Sequence, residues 1–345
     1  MPRSPNALHI LIVTPAPAGS TVGNRVTAMR WAKFLRELGH RVTISTDYDG
    51  KDYDLLVALH AVKSGDAIAA FRATLLGRPM IVMVTGTDLY VSAPAGAPIL
   101  GALELANAIV ALQERTIADL PEHFRAKARA IYQSVEPSKR GQAPFRDGAA
   151  KTSQTPLAKK SQTPFDICVL AHLRAVKDPL RAAVAARRLP VSSRVRVKLA
   201  GAVIDAKLEK AAQEEAAFNE RFEYLGELTH SRAMALLAKS KVLVVSSFQE
   251  GGPNVISEAC VLGVPVLATK VSGNIGLLGE DYAGFFAPSD DAGLAKLMAR
   301  CETDAKFYAK LQKQVKAKAP LFAPAREKAA IKQLVEQLVP PTVVE

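Results

Sequence analysis

The sequence predicts an α/β protein built as two doubly wound domains in tandem. Three observations carry this: short apolar runs that alternate with helical stretches, one polar basic segment that interrupts them, and polar residues that gather directly after the apolar runs. At 345 residues the chain is long enough to fill two cores, and its 49% hydrophobic and 6% aromatic content is ordinary for such a fold.

The first strand is LHILIV (8–13), followed by a Gly/Pro/Ser loop and a helix whose Ala28, Trp31, Leu35 and Leu38 form one apolar stripe ended by Gly39. RVTIST, DLLVALH, PMIVMV, AIVAL and ARAIYQS continue the pattern and complete a first domain over 1–136. Residues 137–165 are polar and proline-bearing and contain SQTP twice, as expected of a flexible linker. DICVLAH, RVKLAG, RFEYLG, KVLVVSS, VPVLAT and GFFAP then mark the strands of a second domain, 166–318. The remainder, 319–345, holds a helix after a proline-punctuated crossing.

The net charge is +12, which raises the question of nucleic acid. Much of the excess lies in the linker, where Lys139, Arg140, Arg146, Lys151, Lys159 and Lys160 face only Asp147. No aromatic RNA-binding pattern or zinc-finger spacing accompanies it, so no nucleic-acid partner is expected. The three cysteines, Cys168, Cys260 and Cys301, lie far apart, fit no metal spacing and point to a reducing cytoplasm. No apolar run reaches the ~18 residues of a membrane span, and the start lacks a secretory pattern. A cytoplasmic protein is expected.

The most informative stretch is SSFQEGGPNVISEACVLGVPVLA (246–268). A buried parallel strand runs into a turn carrying Glu250, Gly251 and Gly252, and Pro253 suits the first position of a helix that carries Glu258. Two glycines permit close backbone approach, and a helix amino end favours a phosphate. Glu250 can accept hydrogen bonds from sugar hydroxyls, and Glu258, two turns on, from a ribose diol. A nucleoside diphosphate joined to a sugar fits this arrangement; an ordinary strand-turn-helix with solvated glutamates is the alternative.

In open α/β sheets ligands bind beyond the carboxyl ends of the strands. There the second domain places His172, Arg174 and Lys177, then Gly201, then Glu227 and Leu228, with Asn254 and Val255 opening the helix. Arg174 and Lys177 can neutralise a diphosphate without a metal. Asp47-Tyr48-Asp49, echoed by Asp52-Tyr53-Asp54, is the competing metal signal, and its place in a turn favours turn capping. No GxSxG, P-loop or GxGxxG is present, which removes support for hydrolase, kinase and dehydrogenase readings.

These residues resemble the GT-B glycosyltransferases of family four, which carry a Glu-x7-Glu element followed by Gly-x-Pro-Val. Glu250 to Glu258 and Gly263-Val264-Pro265-Val266 match it. The resemblance implies two Rossmann-like domains facing across a cleft, with the C-terminal helix returning to the first. It further implies that Glu250 contacts the donor sugar and Glu258 the ribose, and that an Arg and a Lys hold the diphosphate. Lys177 falls at the lysine position, whereas His172 stands where the arginine usually does, with Arg174 two residues on. The family's later Gly-Gly-x-Pro-Glu element is here Ser272-Gly273-Asn274-Ile275-Gly276, without the glutamate. LHAVKSG (59–65), TGTDLY (85–90), IYQS (131–134) and HLRAVKDP (172–179) together narrow the likeness to the selenosugar synthases of selenoneine biosynthesis, the SenB family. That family implies selenophosphate as acceptor, joined to the anomeric carbon of a UDP-sugar.

On the first domain the candidate acceptor residues are Gly23, Asn24, Arg25, His60, Lys63, Thr85, Gly86 and Thr87. Gly23 and Asn24 open a helix whose amides offer a second anion site. Lys177 and Arg174 are the expected catalytic cations. Either His60 or Asp88 orients the acceptor, or these two are a satisfied strand-end histidine and a helix cap. Neither a resident cofactor nor a metal is expected. An ordinary hydroxyl acceptor, an epimerase and a non-catalytic nucleotide-binding or RNA-binding protein are the alternatives.

Overall fold

Aliphatic and β-branched runs form two separate parallel sheets in this computed structural model, which describes residues 7–20, 22–90, 97–136 and 163–340. β1 (His9–Val13), β2 (Arg41–Ser45), β3 (Leu55–Leu59), β4 (Met80–Val84), β5 (Ala108–Ala111) and β6 (Ala128–Ala130) lie in the order β2-β1-β3-β4-β5-β6. β7 (Phe165–Leu170), β8 (Val195–Ala200), β9 (Phe222–Tyr224), β10 (Val242–Val245), β11 (Val266–Thr269) and β12 (Phe285–Phe286) lie in the order β12-β11-β10-β7-β8-β9. β3, β4, β5 and β10 are buried at every position, as strands covered by helices on both faces must be. The strand order reverses between β1 and β3 in one sheet and between β7 and β10 in the other. Each reversal opens a crevice at the carboxyl ends, and that is where the candidate residues lie.

The helix Gly23–Glu37 buries Ala28, Trp31 and Leu35 as its stripe predicts; Leu38 is its half-buried cap, and the chain leaves through Gly39 at φ +94°. The last helix, Pro324–Leu338, returns to the first domain. Its Ile331, Leu334 and Val335 share one core with Ala28, Trp31, Ala32 and Leu35. Glu327 is buried in that contact. Its carboxylate accepts from Arg30 Nε at 2.8 Å, Trp31 Nε1 at 3.0 Å and the Ser134 amide at 2.7 Å. The polar segment 137–165 lies outside the described residues except for 163–165.

Candidate active site

The carboxyl end of β7 leads through His172 and Arg174 into a single turn, Ala175–Lys177, that ends with Asp178 in the left-handed region at φ 44°. The carboxyl end of β10 clamps this turn. Ser246 Oγ donates to the Asp178 carbonyl at 2.8 Å, and the Phe248 amide to the Val176 carbonyl at 2.9 Å. The clamp delivers Lys177 Nζ to Glu250 Oε1 at 2.7 Å, and Ser247 Oγ donates to the same oxygen at 2.6 Å. An ammonium has three donors, so two remain for a ligand. Arg174, half-buried on the same loop, adds a second cation.

Pro253 is the residue just before the helix Asn254–Leu262 rather than its first position, so Asn254 and Val255 supply the opening backbone amides. Glu258 sits further along this helix. Burial pushes its carboxyl above the usual carboxylate range, opposed by the charges of His230 and Arg30. His230, whose Nδ1 stands 3.9 Å from Glu258 Oε1, opens the helix His230–Lys239 behind an ordinary Thr229 cap and carried no signal in the sequence. His172 accepts the Ala202 amide at Nδ1, at 3.2 Å, so the neutral ring carries its proton on Nε2. Burial first, and then the Lys177 charge, hold its pKa below the ordinary value.

Several glycines serve backbone packing as much as any ligand. A Cβ on Gly201 would lie 1.9 Å from the Ala171 carbonyl oxygen, which fixes this residue type where β8 ends beside β7. Glu227 is exposed and Leu228 half-buried beyond β9, beside the Gly226 carbonyl that accepts the Gly201 amide at 2.9 Å. A Cβ on Gly251 would meet the Thr85 carbonyl oxygen at 2.5 Å, and one on Gly86 the Gly251 nitrogen at 2.4 Å. The expected role of Gly251 and Gly252 in approaching a phosphate is thus joined by a second: at this turn the two domains touch, and Gly252 presses on Leu112.

From the first domain, Gly23 stands beside Asn254, 3.9 Å from where its own Cβ would be to Asn254 Nδ2, which places two helix amino ends together. Arg25 is half-buried there and Lys63 exposed on the loop after β3. His60 ends β3 at φ 70°, a backbone conformation costly for a non-glycine residue. It is buried, and its Nδ1 accepts the Lys63 amide at 3.2 Å. Burial lowers its pKa although Asp88 lies 3.9 Å away.

Asp88, expected either to orient the acceptor or to cap a helix, is engaged by backbone amides. It is fully buried, and its carboxylate accepts the amides of Ala61, Thr85, Gly86 and Leu89. It therefore fixes the loops after β3 and β4. The Thr87 side chain lies outside the described residues. The aspartates of 47–54 are engaged locally: Asp49 pairs with Lys51 at 2.8 Å, and Asp54 accepts the His9 amide at 2.8 Å and pairs with Arg78. Among the described residues no cluster of three or more His, Cys, Asp or Glu side chains could hold a metal ion. None of the described helices is long and apolar enough to cross a membrane.

Sequence reasoning also missed Gln113 and Gln133. Gln113 Nε2 donates to the Gly251 carbonyl at 3.3 Å, and Gln133 Nε2 to the Gly252 carbonyl at 3.1 Å. Gln113 directly follows the AIVAL run, so its place at a strand's carboxyl end is its one local signal.

Two parallel six-stranded sheets with a returning terminal helix define the GT-B fold, and the comparisons agree. Residues 152–318 match the family model described as Glycosyl transferases group 1. A "Glycosyltransferase 1 domain-containing protein 1" of Xenopus tropicalis is 26% identical over 83% of this chain and 88% of its own. Anabaena HepE, solved in complex with UDP-glucose, is similar in fold, with a TM-score of 0.71 at 16% identity over 96% of this chain and 100% of that one. Sucrose-phosphate synthase from Thermosynechococcus elongatus gives 0.73 at 15% identity over 96% and 98%. The fold is therefore GT-B, and the stretch 152–318, just under half of the chain, is similar to group 1 glycosyltransferases.

Proposed function

We propose that the protein is a UDP-sugar-dependent glycosyltransferase that joins selenophosphate to the anomeric carbon of UDP-N-acetylglucosamine or UDP-glucose. The observation that carries the donor half is the convergence, at the β7/β10 crevice, of Lys177, Arg174, Glu250 and the amino end of the 254–262 helix. The diphosphate lies against Lys177, Arg174 and the amides of Asn254 and Val255. Glu250, already held by Lys177 and Ser247, accepts from the sugar, and Glu258 accepts from the ribose. HepE, crystallised with UDP-glucose, shares this fold and supports the donor class.

The acceptor half rests on the first-domain crevice facing it, where Arg25, Lys63 and the amides of the 23–37 helix present positive potential suited to a small dianion. Selenium is a soft, anionic nucleophile, so the reaction needs no strong base. The Se–C1 bond forms as the C1–O bond to the β-phosphate breaks, and the electron pair leaves on UDP. Lys177 and Arg174 stabilise that charge as it develops. Asp88 positions the loops, and His60 is held between them.

Mass spectrometry of products after incubation with selenophosphate and several UDP-sugars tests this reading. A selenium-bearing sugar phosphate formed with UDP is expected. UDP release only with sugar alcohols or sugar phosphates would favour a second reading, an ordinary hydroxyl acceptor, to which the likeness to sucrose-phosphate synthase lends weight.

A further inference from the structure

We infer that Gln113, the N-cap of a short helix after β5, is a positioning residue: it struts the two domains and fixes the Gly251–Gly252 turn of the donor site proposed above. Its side chain is fully buried although it belongs to the first domain and reaches into the second. Both donors of the amide are used and its oxygen is engaged: Nε2 donates to Thr116 Oγ1 and to the Gly251 carbonyl, and Oε1 accepts the Thr116 amide at 3.2 Å.

The far side of this amide meets Gly276. A Cβ there would lie 1.9 Å from Gln113 Oε1 and 2.2 Å from its Cδ. Any side chain at position 276 would therefore collide with the Gln113 amide that reaches across from the first domain.

A second glutamine completes the device. Gln133 holds the next carbonyl, Gly252, while its Oε1 accepts from Thr27 Oγ1 at 2.8 Å and Arg30 Nη2 at 2.9 Å. Adjacent glycines have the largest conformational freedom to lose, so a turn built on them needs external anchors to hold one shape. Because a carbonyl and the following N–H share one plane and point oppositely, anchoring the Gly251 oxygen also fixes the direction of the Gly252 N–H. Arg115 with Glu280 and Ser272 with Asp119 flank the strut, so the contact is continuous along one edge of the interface.

The test places spin labels at Ala73→Cys and Ala217→Cys, exposed positions on helices of the two domains; the three native cysteines are buried. Interdomain distances are read without ligand, and UDP affinity by calorimetry. Gln113→Ala is expected to broaden the distance distribution and weaken UDP binding by about tenfold. Gly276→Ala, by pushing the amide out, should do the same, and the double variant should be no worse than Gln113→Ala alone. Gln113→Asn, too short to span, checks the outcome in a milder background, with thermal melts confirming folding. An unchanged distribution and affinity in Gln113→Ala, or a full additional effect of Gly276→Ala in the double variant, would overturn the inference. Failure of the unsubstituted protein to bind UDP would sink the donor reading, while the distances would still test the strut.

Discussion

In the proposed chemistry Lys177 carries the most weight, because it meets Glu250 with one hydrogen and has two more to offer a departing diphosphate. Lys177→Ala should lower the rate of UDP release by about a hundredfold or more, as loss of a leaving-group cation does; a near-normal rate would remove it from that role. Glu258→Ala should chiefly weaken UDP binding in calorimetry, with the larger effect on donor KM than on kcat. These residues were legible because each follows a strand and belongs to a recognisable spacing. His230, Gln113 and Gln133 were not, since they act through distances across elements or domains that no local pattern encodes. The sequence also named Asp88 without revealing that its carboxylate is consumed by backbone amides.

Strands and helices were the most legible scale. Their apolar runs are short and bounded by turn residues, the central ones are buried on both sheet faces, and each expected run overlaps an observed strand. The boundary at Pro253 was misplaced by one residue, because proline at the position before a helix and at its first position give the same local signal. The loop after β4 shows what local reading cannot supply: Gly86 reads as a flexible or ligand-facing glycine, whereas its φ of +106° and the Gly251 backbone both exclude a side chain. Gly86→Ala should therefore destabilise by about 2 kcal/mol or more, measured by denaturant unfolding. A loss within about 0.5 kcal/mol, usual for surface substitutions, would show that the two loops part readily.

For the whole molecule, the returning helix and the interdomain turn make the two domains one mechanical unit along one edge, with the crevices facing each other. Its acid response follows from two histidines that the fold shields from water, His60 buried and His172 half-buried. His60 and His172 have folded pKa values held below the ordinary 6.5, burial being the largest cause in each. The unfolded chain therefore takes up protons first as pH falls. Stability is fully present above the ordinary histidine pKa and is lost as pH drops through that value toward the depressed ones. The melting temperature should fall between about pH 7.5 and about pH 5.5, and His172→Asn should flatten part of that slope. Glu258, raised by burial, titrates in the opposite sense and should partly offset the loss.

The most direct measurement is a crystal structure of the protein soaked with UDP. The diphosphate is expected within hydrogen-bonding reach of Lys177 Nζ and the amides of Asn254 and Val255, with the ribose hydroxyls on Glu258. Uridine bound elsewhere, or a diphosphate distant from Lys177, would contradict the donor site and the chemistry built on it.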